Sequence, residues 1–193
     1  MSEPKSKIEL FHLSDEKEVF QCSIFSIKEQ IAQTQDKQHK LNVYTLACTD
    51  WVNIIPVTST GEIVFVEQHR FGVNKLTLEV PGGAVETNEK DLTLAALREL
   101  EEETGLTTKR LLSLPGYSAN AAMQNNRVTY FIALDVHPKE NLEAHGDPFE
   151  NIAVHLIDIK TAMHMARTGQ ITHSLSALAL LLAEPYLNSQ KKS

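Results

Sequence analysis

Arg98-Glu-Leu-Glu-Glu-Glu-Thr-Gly-Leu106 is the stretch on which the fold turns. It closes an alanine, leucine and glutamate run from Asp91 to Thr104 that the composition predicts to be helical. Asp91 suits an N-cap, and Gly105 stands where a left-handed residue ends a helix. At about 100° per residue, Glu99, Glu102 and Glu103 fall within one arc of roughly 100°. Leu94, Leu97 and Leu100 project away from them and form the expected anchoring stripe. Ala95 and Ala96 lie one turn earlier on the acidic side, where small side chains let a neighbouring backbone approach, and the glycine loop at Pro81-Gly-Gly83 is the natural candidate.

Carboxylates three and four residues apart repel by a few tenths of a kcal/mol per pair when exposed, and by more as the dielectric falls. Arg98 is spaced to pair with Glu102, but one cation does not neutralise three anions. A divalent ion does, and oxygen-only ligands on a rigid helix suit Mg²⁺ or Mn²⁺ with positions left for water and phosphate. The run satisfies the pattern R-E-aliphatic-x-E-E-x-G-aliphatic, which in a chain of this length arises by chance on the order of once in 10⁵ sequences. Here the chain resembles the Nudix hydrolase family, whose box reads G-x5-E-x7-R-E-U-x-E-E-x-G-U with U aliphatic. Gly83 and Glu89 fit its first two positions, although eight residues rather than seven separate Glu89 from Arg98, which leaves the role of Glu89 open.

The resemblance implies a metal-dependent hydrolysis of a nucleoside diphosphate linked to another moiety. By position, Glu99, Glu102 and Glu103 become metal ligands with the carbonyl of Gly82, and Glu103 takes part in catalysis. Glu67-Gln-His-Arg70 and Leu78-Glu-Val-Pro-Gly-Gly83 are similar to the segments preceding the box in the ADP-ribose and nucleoside-diphosphate-sugar pyrophosphatase branch. In that branch an arginine at the position of Arg70 binds pyrophosphate; a surface arginine ending a strand is the alternative. The branch also carries a general base on a loop before the last strand, where Glu150 is the candidate and Asp147 and Glu143 are alternatives. Ala121 stands near where ADP-ribose enzymes tend to carry proline, so strict ADP-ribose specificity is not implied. Gln124 and Asn126, within Gln124-Asn-Asn-Arg127, offer amides to a sugar or phosphate, or cap a loop.

Around the box, Phe20 to Ile27 and Leu41 to Ala47 read as a hairpin broken by polar Gln33 to Lys40. Trp51 to Val57 and Ile63 to Glu67 flank Thr58-Ser-Thr-Gly61 and should pair antiparallel. Further strands are expected at Leu76 to Val80, Val128 to Val136 and Ile152 to Ile157, with a loop from His137 to Glu150. Asp158 and Gly169 bracket one helix, and Thr172 opens another. The pattern is α+β, and the resemblance makes it a Nudix fold, a mixed sheet between helices. Residues 1–50 would form an antiparallel β-segment that pairs in a homodimer, and residues 51–193 the hydrolase domain.

Twenty-five acidic against 18 basic residues give 193 residues a net charge of −7, which argues against a nucleic-acid partner. No apolar run approaches the roughly 20 residues of a membrane span, and no secretory signal is visible, so a cytoplasmic protein is expected. Cys22 and Cys48 sit in apolar stretches and are expected as buried, reduced thiols. Trp51 and Tyr44 are read as core residues, with base stacking the alternative, and the eight histidines as structural or surface groups. The implied activity is Mg²⁺-dependent cleavage of nucleoside diphosphate sugars, of the ADP-ribose and GDP-mannose type, to a nucleoside monophosphate and a sugar phosphate. Hydrolysis of dinucleoside polyphosphates or capped RNA, and non-catalytic sensing of a nucleotide sugar, are the competing functions.

Overall fold

The computed structural model describes residues 6–140 and 151–189, and within them the chain divides into two compact units. The first takes in residues up to Cys48 together with Ser118–Asn126. It is an antiparallel sheet of β1 (His12–Leu13), β2 (Lys17–Gln21), β3 (Ser26–Gln33) and β4 (Lys40–Ala47), with β3 pairing all three others. The expected hairpin exists, but its first strand is β3 and not Phe20 to Ile27, whose middle turns back through a Cys22 to Phe25 hydrogen bond of 3.0 Å. That turn carries Cys22 to the surface and Cys48 is only half-buried, so neither thiol is in a core as expected. Tyr44 is likewise 54% exposed and donates its hydroxyl to Glu29 at 2.9 Å. Alternation along β4 predicts an inward side chain there only if a layer covers that face.

The second unit, Thr49–Tyr117 with Arg127–Ser193, is built on a mixed sheet. The strands of this sheet are β5 (Trp51–Val57), β6 (Glu62–Arg70), β7 (Lys75–Glu79), β8 (Gly82–Ala84), β10 (Arg110–Ser113), β11 (Tyr117–Ser118, of which Tyr117 belongs to this unit), β12 (Arg127–Leu134) and β14 (Ala153–Asp158). The main order is β10-β12-β5-β6-β14, with β7 on β6, β8 on β5 and β11 on β12. β12 runs parallel to β5, whereas β6, β8 and β14 pair antiparallel. A small pair, β9 (Leu106–Thr107) with β13 (His137–Pro138), uses the first residues of the expected 137–150 loop.

The helices are α1 (Leu92–Thr104), α2 (Ile159–Arg167) and α3 (Ser174–Ser189). Both ends of α1 are as the sequence predicts: Asp91 accepts from the Thr93 N–H at 2.9 Å, and Gly105 adopts φ +69° while its N–H donates to Glu101. Asp158 caps α2 through Thr161, and α3 begins at Ser174, two residues beyond the expected Thr172. Val52, Ile54, Val64, Phe131 and Ala133 enclose a core with Ala95, Ala96 and Leu100 of α1. Alternate residues Ile55, Ile63, Phe65 and Ile132, all fully buried, point to the other face, where α3 lies against β5.

The anchoring face of α1 differs from the leucine stripe. Leu100 is fully buried, but Leu94 is 61% exposed, and Ala95, Ala96 and Glu99 are the residues turned inward. The helix presses its small-residue face against the sheet because the glycine strand β8 lies directly beside it. Replacing Leu100 with Ala should therefore lower stability by about 2–5 kcal/mol, whereas Leu94→Ala should change it by no more than about 0.5 kcal/mol, both measured by denaturant unfolding.

Candidate active site

Two glycines allow β8 to pass between β5 and α1. A Cβ on Gly82 would overlap the Val52 carbonyl oxygen and stand 2.9 Å from the Asn53 Cα. On Gly83 it would stand 2.5–2.6 Å from all three outer atoms of the Glu99 carboxyl group. The Glu99 carboxylate thus lies flat on the glycine backbone, 9% exposed as a residue. The helix does lie beside the glycine strand, and the group that meets Gly83 is the Glu99 carboxylate.

Arg98 organises the rest of the acidic face. Its Nε and Nη2 each reach Glu89 at 3.0 Å, and its Nη1 reaches Glu99 at 2.8 Å and Glu102 at 2.9 Å. Nη2 also donates to the Ala84 carbonyl at 3.0 Å, tying the helix to β8. The extra residue before the helix is absorbed without loss of Glu89, whose carboxylate takes the guanidinium fork and a Glu86 N–H at 2.9 Å. Hydrogen bonding to Arg98 holds Glu89 below the usual carboxylate range. Glu101 points elsewhere and pairs with Lys139.

Glu103 accepts from the Gly82 N–H at 2.8 Å. Burial pushes its pKa up to about 8; the Gly82 N–H and the Arg70 charge oppose the shift, while Glu99 and Glu79 add to it. Near neutral pH this carboxyl group therefore retains a proton in the metal-free chain. A carboxyl that is both desolvated and crowded by like charges is a group that a hard cation would deprotonate. Among the described residues no three His, Cys, Asp or Glu side chains are already gathered as a metal cluster. The donor set of Glu99, Glu102 and Glu103 nevertheless fits a divalent ion by its chemistry, oxygen-only and short of positive charge.

Arg70, at the end of β6, forms a fork with Glu79 of β7: Nε to Oε1 and Nη2 to Oε2, both 2.7 Å. Each of Arg70 and Glu103 lies within the other's electrostatic reach. Thr77 donates to Glu79 at 2.6 Å, and His173 Nδ1 lies 3.0 Å from its other oxygen. Burial holds His173 below its ordinary pKa, so it is neutral near pH 7.

The structure thus brings Gly82, Glu99, Glu102, Glu103 and Arg70 into the second unit. Gln124 and Asn126 belong to the first, where the Gln124 amide approaches the Cys48 sulfur at 3.9 Å and Asn126 is buried. Glu150, Asp147 and Glu143 lie outside the described residues. Sequence reasoning missed Glu79, Thr77 and His173. Glu79 and Thr77 had a signal, as polar residues two apart in a short strand and on one face; His173, 94 residues further along the chain, had none.

A NUDIX-domain profile matches residues 50–175. An ADP-ribose pyrophosphatase of Bacillus subtilis (strain 168) is 29% identical over 143 residues, covering 72% of this chain and 76% of its own. A methanol dehydrogenase activator of Bacillus methanolicus is 30% identical over 129 residues, covering 67% and 69%. A crystal structure of an ADP compounds hydrolase, 17% identical, shares the fold at a TM-score of 0.83 over 98% of this chain and 100% of its own.

Because Arg98 holds Glu89 in the ionised form, that interaction stabilises the fold fully above the ordinary value of 4.5 and is lost as pH falls through the lowered pKa. Glu89→Gln should accordingly reduce the fall in Tm between about pH 5 and pH 3 relative to the unsubstituted chain, read by thermal melts across that range.

Proposed function

The chain belongs to the Nudix family, and from that premise we propose that it is a pyrophosphohydrolase of nucleoside diphosphate sugars, releasing a nucleoside monophosphate and a sugar phosphate. One observation carries the reading: a complete set of box carboxylates on α1, with Glu103 desolvated against Gly82 and facing the charge of Arg70. A degraded box, as expected of a sensor that binds without cleaving, would lack this crowding. The name of the B. subtilis relative favours ADP-ribose among the sugars.

In this reading Glu99, Glu102 and Glu103, with the Gly82 carbonyl, would hold Mg²⁺ or Mn²⁺. When bound, such an ion would supply positive charge against the diphosphate and would favour a hydroxide-like water for attack on phosphorus. Arg70 contributes the second positive group, binding the diphosphate with the side of its guanidinium that Glu79 does not take. Glu150 is the proposed acceptor of the attacking water's proton. In-line displacement asks little else of the protein beyond placement and charge.

The first unit is read as the homodimer surface. Its apolar side chains Ile8, Leu10, Phe11, Leu13 and Phe20 are at least half exposed within the chain, as a surface awaiting a second copy would be. No helix among the described residues is long and apolar enough to cross a membrane. The free thiols of Cys22 and Cys48 suit a reducing compartment, and the cytoplasm is the proposed location.

The experiment is a substrate panel with Mg²⁺: ADP-ribose, GDP-mannose, UDP-glucose, diadenosine polyphosphates and capped RNA, with products identified by phosphorus NMR. Nucleotide sugars should be cleaved to a monophosphate and a sugar phosphate; preference for a polyphosphate or capped RNA would reassign the substrate class, and no cleavage of any would refute the enzyme. Glu103→Gln should keep the circular dichroism of the parent and lose turnover by roughly two to four orders of magnitude.

A further inference from the structure

Glu79 is 1% exposed, yet its carboxylate is ionic and fully occupied. Oε1 accepts from Arg70 Nε at 2.7 Å and Thr77 Oγ1 at 2.6 Å; Oε2 accepts from Arg70 Nη2 at 2.7 Å and lies 3.0 Å from His173 Nδ1. An ionised carboxylate only accepts, so Nδ1 carries the hydrogen on that ring. Ser176 Oγ, 2.8 Å from the same nitrogen, accepts from the Val80 N–H at 3.0 Å and fixes the entry of α3 onto the end of β7. Three segments of chain therefore converge on one buried anion.

Stability alone does not explain such an arrangement. A buried ion pair is commonly no more stabilising than apolar residues of the same volume, and what it adds is direction. Here the direction belongs to Arg70. The fork consumes Nε and Nη2, the side chain remains 44% exposed, and Nη1 is the nitrogen that neither Glu79 oxygen takes. A long arginine at a strand end would otherwise sample many rotamers and lose that freedom on binding.

We propose that Glu79 is a positioning residue that holds the Arg70 guanidinium with its open edge toward the diphosphate of the substrate, with Thr77 and His173 keeping the carboxylate in place. This rests on the reading of Arg70 as the diphosphate-binding arginine. Because such binding is made alike in ground and transition states, its loss acts on KM and not on kcat.

Glu79→Gln replaces one acceptor with a donor facing Arg70 and should release the guanidinium. With ADP-ribose and Mg²⁺, KM should rise about tenfold or more while kcat stays within about threefold, and calorimetric binding of ADP should weaken by the same factor. The double variant Glu79→Gln/Arg70→Lys should be no worse than Arg70→Lys alone, since both act through one guanidinium. If Glu79→Gln does not fold, Thr77→Val and His173→Ala should give smaller rises in KM, and His173→Asn, which keeps a donor, should restore the parent value. A fall in kcat at unchanged KM, or effects of Glu79 and Arg70 that simply add, would overturn the proposal. A chain that binds ADP but cleaves nothing would refute the activity and leave the binding comparison to decide this assignment; a chain that does not bind ADP overturns both.

Discussion

A single guanidinium, that of Arg98, stands among three carboxylates that would otherwise repel one another, and the local structure is arranged around that shortage of positive charge. It takes Glu89 with two nitrogens and spans Glu99 and Glu102 with the third. Glu103 is left to the Gly82 N–H and to the more distant charge of Arg70. Neither equals a full counter-charge at contact distance, so burial dominates and the group retains its proton. The acidic face of α1 is thus left short of positive charge at Glu103.

Packing explains why the protein tolerates this. Ala95 and Ala96, both fully buried, bring α1 close to the sheet, and the glycines of β8 remove the side chains that would stand in the way. The Glu99 carboxyl group occupies the room a Cβ on Gly83 would need. The loop cannot withdraw without uncovering Glu99, and the helix cannot rotate without driving that carboxylate into the backbone. Interiors packed this closely have few intermediate positions, which keeps the carboxylates in register with Gly82.

The second arginine works on a different principle. Arg98 sits within its own helix and neutralises neighbours close in sequence, whereas Arg70 is held by one buried acid whose other partners come from β7 and from the residue before α3. One arrangement manages charge and the other manages orientation. Together they give the unit a crowded anionic side on α1 and a guanidinium held in one orientation by a buried acid.

Features that arise within a few neighbouring residues are legible in the amino-acid sequence. The caps of α1 and α2, the antiparallel strands around Thr58 to Gly61 and the shared arc of Glu99, Glu102 and Glu103 follow from backbone preference, periodicity and the span of a helical turn. The inward face of α1, the exposed Leu94, the surface positions of Cys22 and Tyr44 and the start of β3 are not, because burial depends on which segment lies opposite. Hydrophobicity alone favours Leu94 over Ala95; the approach of β8 reverses the order. Likewise nothing near Glu79 announces His173, since their contact joins β7 to a residue 94 positions later. Sequence sufficed for the caps and the carboxylate spacing that one helix carries by itself. Tertiary structure decided everything that needed two elements to meet, because a side chain's environment is made by residues distant in the chain.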